Sequence, residues 1–294
     1  MSDIAATGSG KTHRDENFPV ASAFIAPRHR APILAFYDFV RAADDIADHG
    51  GLSEGEKLAM LDRLEAALLG SGEDIAVATK LRAALQERGL EPRHAQDLVI
   101  AFRRDVTQSR YRDWDDLIDY CRYSAMPVGR FVLDVHGEDR ETTWGPNDAL
   151  CAALQIINHL QDCGKDYRNL DRVYLPLDAL DAHGAEVTAL GTNRASAALA
   201  AALRALAQRT EGLLQESAPF ADLIADARLA MEVGAIQRLA ETLTARLKTA
   251  DPLSDKVHAS KAEFAFTAFV GAGAALLRRF VAPRSRRAQA DGLR

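Results

Sequence analysis

Two segments of this chain set ionisable side chains in a single stripe on helices that are otherwise apolar. No other feature limits the possible folds as strongly. In AFYDFVRAADDIADHG, residues 35–50, a helical register puts Tyr37, Arg41, Asp44 and Asp48 at i, i+4, i+7 and i+11. Phe36, Phe39, Val40, Ala43 and Ile46 lie around them and are expected to be buried. Charges on such a helix are costly to bury unpaired, so the stripe needs counter-ions or a polar cavity. In LQIINHLQDCGKDYRNLDRVYLP, residues 154–176, Gln155, Asn158, Asp162 and Asp166 fall at i, i+3, i+7 and i+11. Leu154, Ile156, Ile157 and Leu160 fill the other sides of that helix. Each stripe therefore carries two carboxylates one helical turn apart, preceded by polar residues on the same face.

From about Pro19 to Phe280 apolar residues recur at helical spacing, and no stretch alternates as a sheet strand would. The balance of 48% hydrophobic but only 6% aromatic residues, rich in alanine and leucine, suits helices better than strands. Ser53 with Glu56 reads as a capping box and Gly89 as a helix stop. Pro92, Gly145-Pro146, Pro176 and Pro252 mark further joints. No repeat and no long linker divides the 294 residues, which predicts one all-α bundle of about eight to ten helices. Residues 1–16 read as a disordered polar tail, 17–281 as the helical domain and 282–294 as a basic tail.

Several classes of function drop out. A formal net charge of −6 argues against a general nucleic-acid binder. Cys121, Cys151 and Cys163 are odd in number and lack metal-site spacing, which points to reduced core thiols and a cytoplasmic location. The N-terminus has no apolar core of the secretory kind. Residues 5–12, AATGSGKT, satisfy a permissive Walker A pattern, but no strand precedes them and no βαβ unit follows, so nucleotide triphosphate binding is rejected. The longest apolar run, Phe264 to Leu277, falls short of the roughly 18–20 residues that span a bilayer. It reads as a core helix before a solvated tail bearing Arg278, Arg279, Arg284, Arg286 and Arg287. Peripheral membrane contact through that end is the alternative.

The paired carboxylates point to magnesium. Mg²⁺ takes oxygen ligands, keeps several waters, and is commonly held by one or two carboxylates together with substrate phosphates. Carboxylates at i and i+4 stand about 6 Å apart, near enough to share a metal cluster. Two such helices face to face would clamp Mg²⁺ ions around a diphosphate, with Arg41, Lys165 and Arg172 adding positive charge. A di-iron site would require Glu-x-x-His motifs, and none accompanies His49 or His159.

These residues bring the chain into line with a known family. It resembles the squalene/phytoene synthases, helical enzymes that join isoprenoid diphosphates head to head. The resemblance runs from about Asn17 to Pro176 and more weakly to Phe280. Its anchors are YDFVRAADDIAD (37–48), DVTQSRY (105–111), YCRYSAMPVG (120–129) and QIINHLQDCGKDYRNLDRVYLP (155–176). It implies an isoprenoid-synthase bundle around a central active-site cavity. It also implies that Asp44, Asp48, Asp162 and Asp166 ligate Mg²⁺ and that Tyr37 joins them in catalysis. Arg41, Tyr120, Gln155, Asn158 and Tyr174 match the family's substrate-contacting positions. Asp105, Arg110 and Tyr111 form a lesser candidate group, for which a surface ion-pair cluster is an equal reading.

Departures from the family pattern narrow the choice. SAMPVG stands where VAGxVG is usual, and Pro127 is expected to kink a helix beside the cavity. Gln161-Asp162 replaces Arg-Asp, removing a positive charge, and ENFPVAS (16–22) replaces the common Ser-Lys-Ser-Phe. These segments look like the bacterial hydroxysqualene synthase branch, which acts on presqualene diphosphate on the route to squalene and hopanoids. The implied chemistry is loss of diphosphate, rearrangement of a cyclopropylcarbinyl cation, and capture by water. Condensation of two farnesyl diphosphates is the sibling alternative, and an inert assembly subunit that keeps the fold is the alternative of another class. Pathway enzymes and the membrane surface are the expected neighbours.

Overall fold

Local chemistry sets where the helices begin and end. In the computed structural model, residues 25–281 are described. Helix α1 (Pro27–Ala47) opens on a proline, whose missing N–H would have no partner in a first turn anyway. Ser53 opens α2 (Glu54–Leu69) through the expected capping box, its own N–H donating to the Glu56 carboxylate at 2.9 Å. Gly89 ends α3 (Ala76–Arg88) in the left-handed region, as the sequence predicts. Pro92 stands immediately before α4 (Arg93–Thr107). There follow α5 (Trp114–Ser124), α6 (Met126–His136), α7 (Arg140–Leu170), α8 (Leu177–Asp181), α9 (Ala197–Ser217), α10 (Phe220–Leu223), α11 (Ala227–Leu247) and α12 (Lys261–Val281). Among the described residues ten of these helices have eleven or more residues, and α8 and α10 are single turns. The β pairing there is one isolated bridge, Arg110 with Val173.

Three expectations are corrected. Gly145-Pro146 is not a joint, for Pro146 lies within α7. It falls in the second turn of a helix firmly started by Asp139, whose carboxylate accepts the N–H groups of Glu141 and Thr142. Pro127 does not kink a continuous helix. The chain breaks at Ala125 (φ −129°, ψ −49°), and Pro127 occupies the first turn of α6, where its ring is tolerated. The apolar run 264–277 is not a core helix, since Phe266 and Phe269 on α12 are 68% and 78% exposed.

The two acidic helices share one neighbour, α6. Helix α1 packs on α2, α3, α4 and α6, and α7 packs on α5, α6, α9 and α11. Phe36, Phe39, Ala43 and Ile46 are buried as expected and Val40 is half-buried, while Ile156, Ile157 and Leu160 of α7 are buried. Phe36 stacks on Phe131 of α6 with ring centroids 4.0 Å apart. Helix α6 approaches α7 closely because position 129 is glycine: a Cβ there would stand 1.9 Å from Asn147 Oδ1. The three cysteines are free, Cys121 and Cys163 buried among them. The Walker-like segment 5–12, the tail 1–16, ENFPVAS, Arg284, Arg286 and Arg287 lie outside the described residues.

Candidate active site

The stripe on α1 survives folding with one change. Asp48 is the C-cap of α1 rather than a member of it, its N–H still donating to the Asp44 carbonyl at 2.9 Å. Arg41 reaches Asp44 from Nη1 at 2.8 Å and Asp45 from Nη2 at 2.6 Å. Asp44 is one-third exposed at its side chain, yet burial followed by the Asp48 charge pushes its pKa up to about 7. A carboxyl both reachable and strongly desolvated sits in a recess. Tyr37 is half-buried on the same helix.

Helix α7 carries the second stripe. Gln155, Asn158, Asp162 and Asp166 are all half-buried, and Lys165 is exposed. Burial and then Asp162 raise the Asp166 pKa to about 7, with Lys165 and Arg172 opposing. Asp48 also raises it, so the first carboxylate pair lies within electrostatic reach of the second. Asp171 ends the helix in the left-handed region at φ 50°, and the Arg172 N–H closes back on the Asp166 carbonyl at 3.3 Å. That turn sends Arg172 across to α1. Its Nη1 donates to Asp48 Oδ1 at 2.6 Å, Nη2 to the Ala47 carbonyl at 3.3 Å, and Nε to the Asp105 carbonyl at 3.1 Å.

Beneath Arg172 lies a buried aromatic cluster around Asp105 of α4. Tyr120 donates to Asp105 Oδ2 and Tyr174 to Oδ1, both at 2.9 Å. Burial lifts the Asp105 pKa to about 6, against the pull of Arg172 and the two hydroxyls. Tyr111 stacks on Tyr174 at 5.5 Å, and His159 of α7 stacks on its ring at 3.7 Å. Burial, aided by Arg172, drives the His159 pKa down to about 3, so this imidazole is neutral. The hydroxyl of Tyr111 and Nε2 of His159 are buried without a hydrogen-bond partner. Asp105 and Tyr111 are therefore not part of a surface ion-pair cluster. Arg110 is: it pairs with Asp171 at 2.6 Å and helps hold residues 109–111 against 171–173.

Three residues near the carboxylates escaped sequence reasoning. Lys57 of α2 has its pKa lowered by burial and by Arg172 while Asp48 opposes, which places it beside the first pair. His258 Nε2 lies 3.7 Å from Asp162 Oδ1. Asp45 shares Arg41 with Asp44. The signal for Asp45 was the Asp-Asp doublet; Lys57 and His258 carry none, because only packing brings them near.

The all-helical bundle thus sets two carboxylate pairs within electrostatic reach of one another, beside the buried guanidinium of Arg172. The sequence profile of the family described as squalene/phytoene synthase matches residues 11–280. The chain belongs to that family. It is 58% identical over 279 residues to a hydroxysqualene synthase of Rhodopseudomonas palustris, with 95% of each chain covered. It is 52% identical over 276 residues to a hydroxysqualene synthase of Zymomonas mobilis, with 93% of each covered. Among solved structures, a squalene synthase from Alicyclobacillus acidocaldarius superposes with a TM-score of 0.71 at 29% identity, covering 83% of this chain and 91% of that one.

Proposed function

We propose that this enzyme converts presqualene diphosphate and water to hydroxysqualene and diphosphate. The observation that carries the reading is Arg172, which follows the helix of Asp162 and Asp166 and donates to Asp48 beside Asp44 at 2.6 Å. Identities of 58% and 52% to relatives named hydroxysqualene synthase support the product assignment.

Magnesium fits these residues. The donor set is all carboxylate oxygen, which favours a hard cation. No group of three or more His, Cys, Asp or Glu gathers around one point among the described residues. An ion held by one pair would complete its shell with water and diphosphate oxygens, and Asp44, Asp48, Asp162 and Asp166 are the residues to hold it. Bound there, it supplies neutralisation of the departing diphosphate's charge.

The chain's own groups do the rest. Arg41, Lys57 and Arg172, with Lys165 at the rim, orient the diphosphate head toward the carboxylates. The Asp105 network fixes Tyr120 and Tyr174 with their hydroxyls turned to its carboxylate, and with Tyr111 and His159 stacked on the Tyr174 ring it forms a rigid floor beneath Arg172. His159 remains neutral, so it sets no positive charge against a developing carbocation. Tyr37, Gln155 and Asn158, half-buried on the two striped helices, are the residues to contact the substrate beside the head group. The expected setting is cytoplasmic, with contact to the membrane surface and to the enzymes that make presqualene diphosphate and consume hydroxysqualene.

Purified protein with Mg²⁺, offered presqualene diphosphate or farnesyl diphosphate in ¹⁸O-labelled water, tests the assignment by product analysis. Labelled hydroxysqualene from presqualene diphosphate, with farnesyl diphosphate untouched, is the expected result. Consumption of farnesyl diphosphate to presqualene diphosphate would move the enzyme to the preceding step.

A further inference from the structure

Helix α12 packs through small residues and turns three of its large ones outward. Thr267, Gly271, Ala272 and Ala275 are buried. The packing on α11 is so close that a Cβ on Gly271 would stand 2.2 Å from the Gly234 carbonyl oxygen. On the opposite side, Phe266, Phe269, Val270, Gly273 and Leu277 fall at i, i+3, i+4, i+7 and i+11, one stripe, with Phe266, Phe269 and Leu277 68%, 78% and 64% exposed. Ala262, Ala265 and Ala274 are exposed as well, and no charged residue interrupts the helix between Glu263 and Arg278. A contiguous apolar face of this size on a folded surface marks an interaction site.

The two ends of the helix say what it meets. At its start, the preceding segment lies on the second carboxylate pair: Gln161 Nε2 donates to the Val257 carbonyl at 3.1 Å, and His258 adjoins Asp162. The apolar face thus begins eight residues beyond a residue of the candidate site. At its end, Arg278 pairs with Asp222 at 2.9 Å and Arg279 donates to the Ile224 and Ala225 carbonyls at 2.6 Å, pinning the helix to the α10–α11 turn. Beyond these two engaged arginines, residues 280–294 hold four more and one aspartate, in a chain whose net charge is −6. An anionic bilayer complements both its apolar stripe and its basic end.

We infer that α12 docks on an anionic phospholipid surface, with Phe266, Phe269 and Leu277 in the acyl boundary. No helix of the described residues is long and apolar enough to cross a membrane, so α12 lies in the plane of the interface. The choice of lipid over protein rests on the proposed function, whose substrate tails and product dissolve in a bilayer.

The test is flotation of the full chain, without substrate, on vesicles of phosphatidylcholine alone or mixed with phosphatidylglycerol. The wild type is expected to float with the anionic vesicles and less so at high salt. F266S/F269S is expected to lose at least about tenfold in vesicle partition, with unchanged circular dichroism and unchanged turnover of detergent-dispersed presqualene diphosphate. Because binding is read without turnover, a failed substrate assignment leaves it standing. Wild type that stays unbound, or a variant that floats equally well, overturns the inference. So does light scattering that shows a wild-type dimer made monomeric by the substitutions, which would make the stripe a self-association face.

Discussion

Arg172, two residues beyond the second acidic helix, donates to Asp48 at the end of the first at 2.6 Å, across a separation of 124 positions in sequence. The same guanidinium holds the backbone carbonyls of Ala47 and Asp105. One side chain therefore fixes the distance between the two carboxylate pairs and the aromatic cluster beneath. Replacing it by lysine keeps the charge but not the fork that serves three acceptors at once. R172K is expected to lower kcat at least about tenfold and stability by about 1–3 kcal/mol, read by product formation and by urea denaturation.

The carboxylates themselves are the direct test of the metal proposal. Asp44→Asn and Asp162→Asn are each expected to reduce turnover about a thousandfold or more while circular dichroism stays helical. EDTA is expected to stop the wild-type enzyme, and Mg²⁺ to restore it. Near-normal turnover in either variant, or turnover that persists in EDTA, would remove the metal clamp from the account.

The pH dependence of stability follows from the raised carboxyls. Asp44 and Asp166 titrate near 7 in the folded protein against an ordinary value near 3.8, so the native state binds more protons than the unfolded chain between those values. Their contribution is fully present below the unfolded value and is lost as pH rises through about 7. His29 and His159, held neutral with pKa values of about 4 and 3, act in the opposite sense below their ordinary 6.5. Above pH 6.5 the carboxyl effect stands alone. Melting temperature in EDTA is expected to fall from pH 6.5 to 7.5, and added Mg²⁺ to reduce that fall.

Asp105 accepts from both Tyr120 and Tyr174, so these hydroxyls act as a unit. Each single Tyr→Phe change is expected to cost about 1 kcal/mol. The double change leaves a buried carboxylate without either donor, and its cost is expected to exceed the sum of the two. A double-mutant cycle by chemical denaturation measures the coupling, and additive costs would mean that the hydroxyls are held independently.

Gly129 is a packing requirement on the same architecture. A Cβ there would meet Asn147 Oδ1 at 1.9 Å and Cys151 Sγ at 2.7 Å, both on α7. Gly129→Ala is expected to cost about 1–3 kcal/mol by overpacking and to lower kcat, because the helix it displaces carries Asp162 and Asp166. A crystal structure of the variant should show α6 and α7 further apart.

The sequence by itself determined which side chains share a helix face, because that depends only on the 3.6-residue period. The Tyr37–Asp48 and Gln155–Asp166 stripes, the Ser53 cap and the Gly89 stop are local events and were legible as written. Local reading erred at Gly145-Pro146, where a strong cap and the packing of a 31-residue helix outweighed a proline near its start. Tertiary structure alone decided which stripe faces which, since Arg172 meets Asp48, and Lys57 and His258 reach the carboxylates, only across long separations in sequence. It also decided which way α12 turns. A run of apolar residues states that a surface must leave water, and only the small residues packed between α11 and α12 show that Phe266 and Phe269 face away from the core.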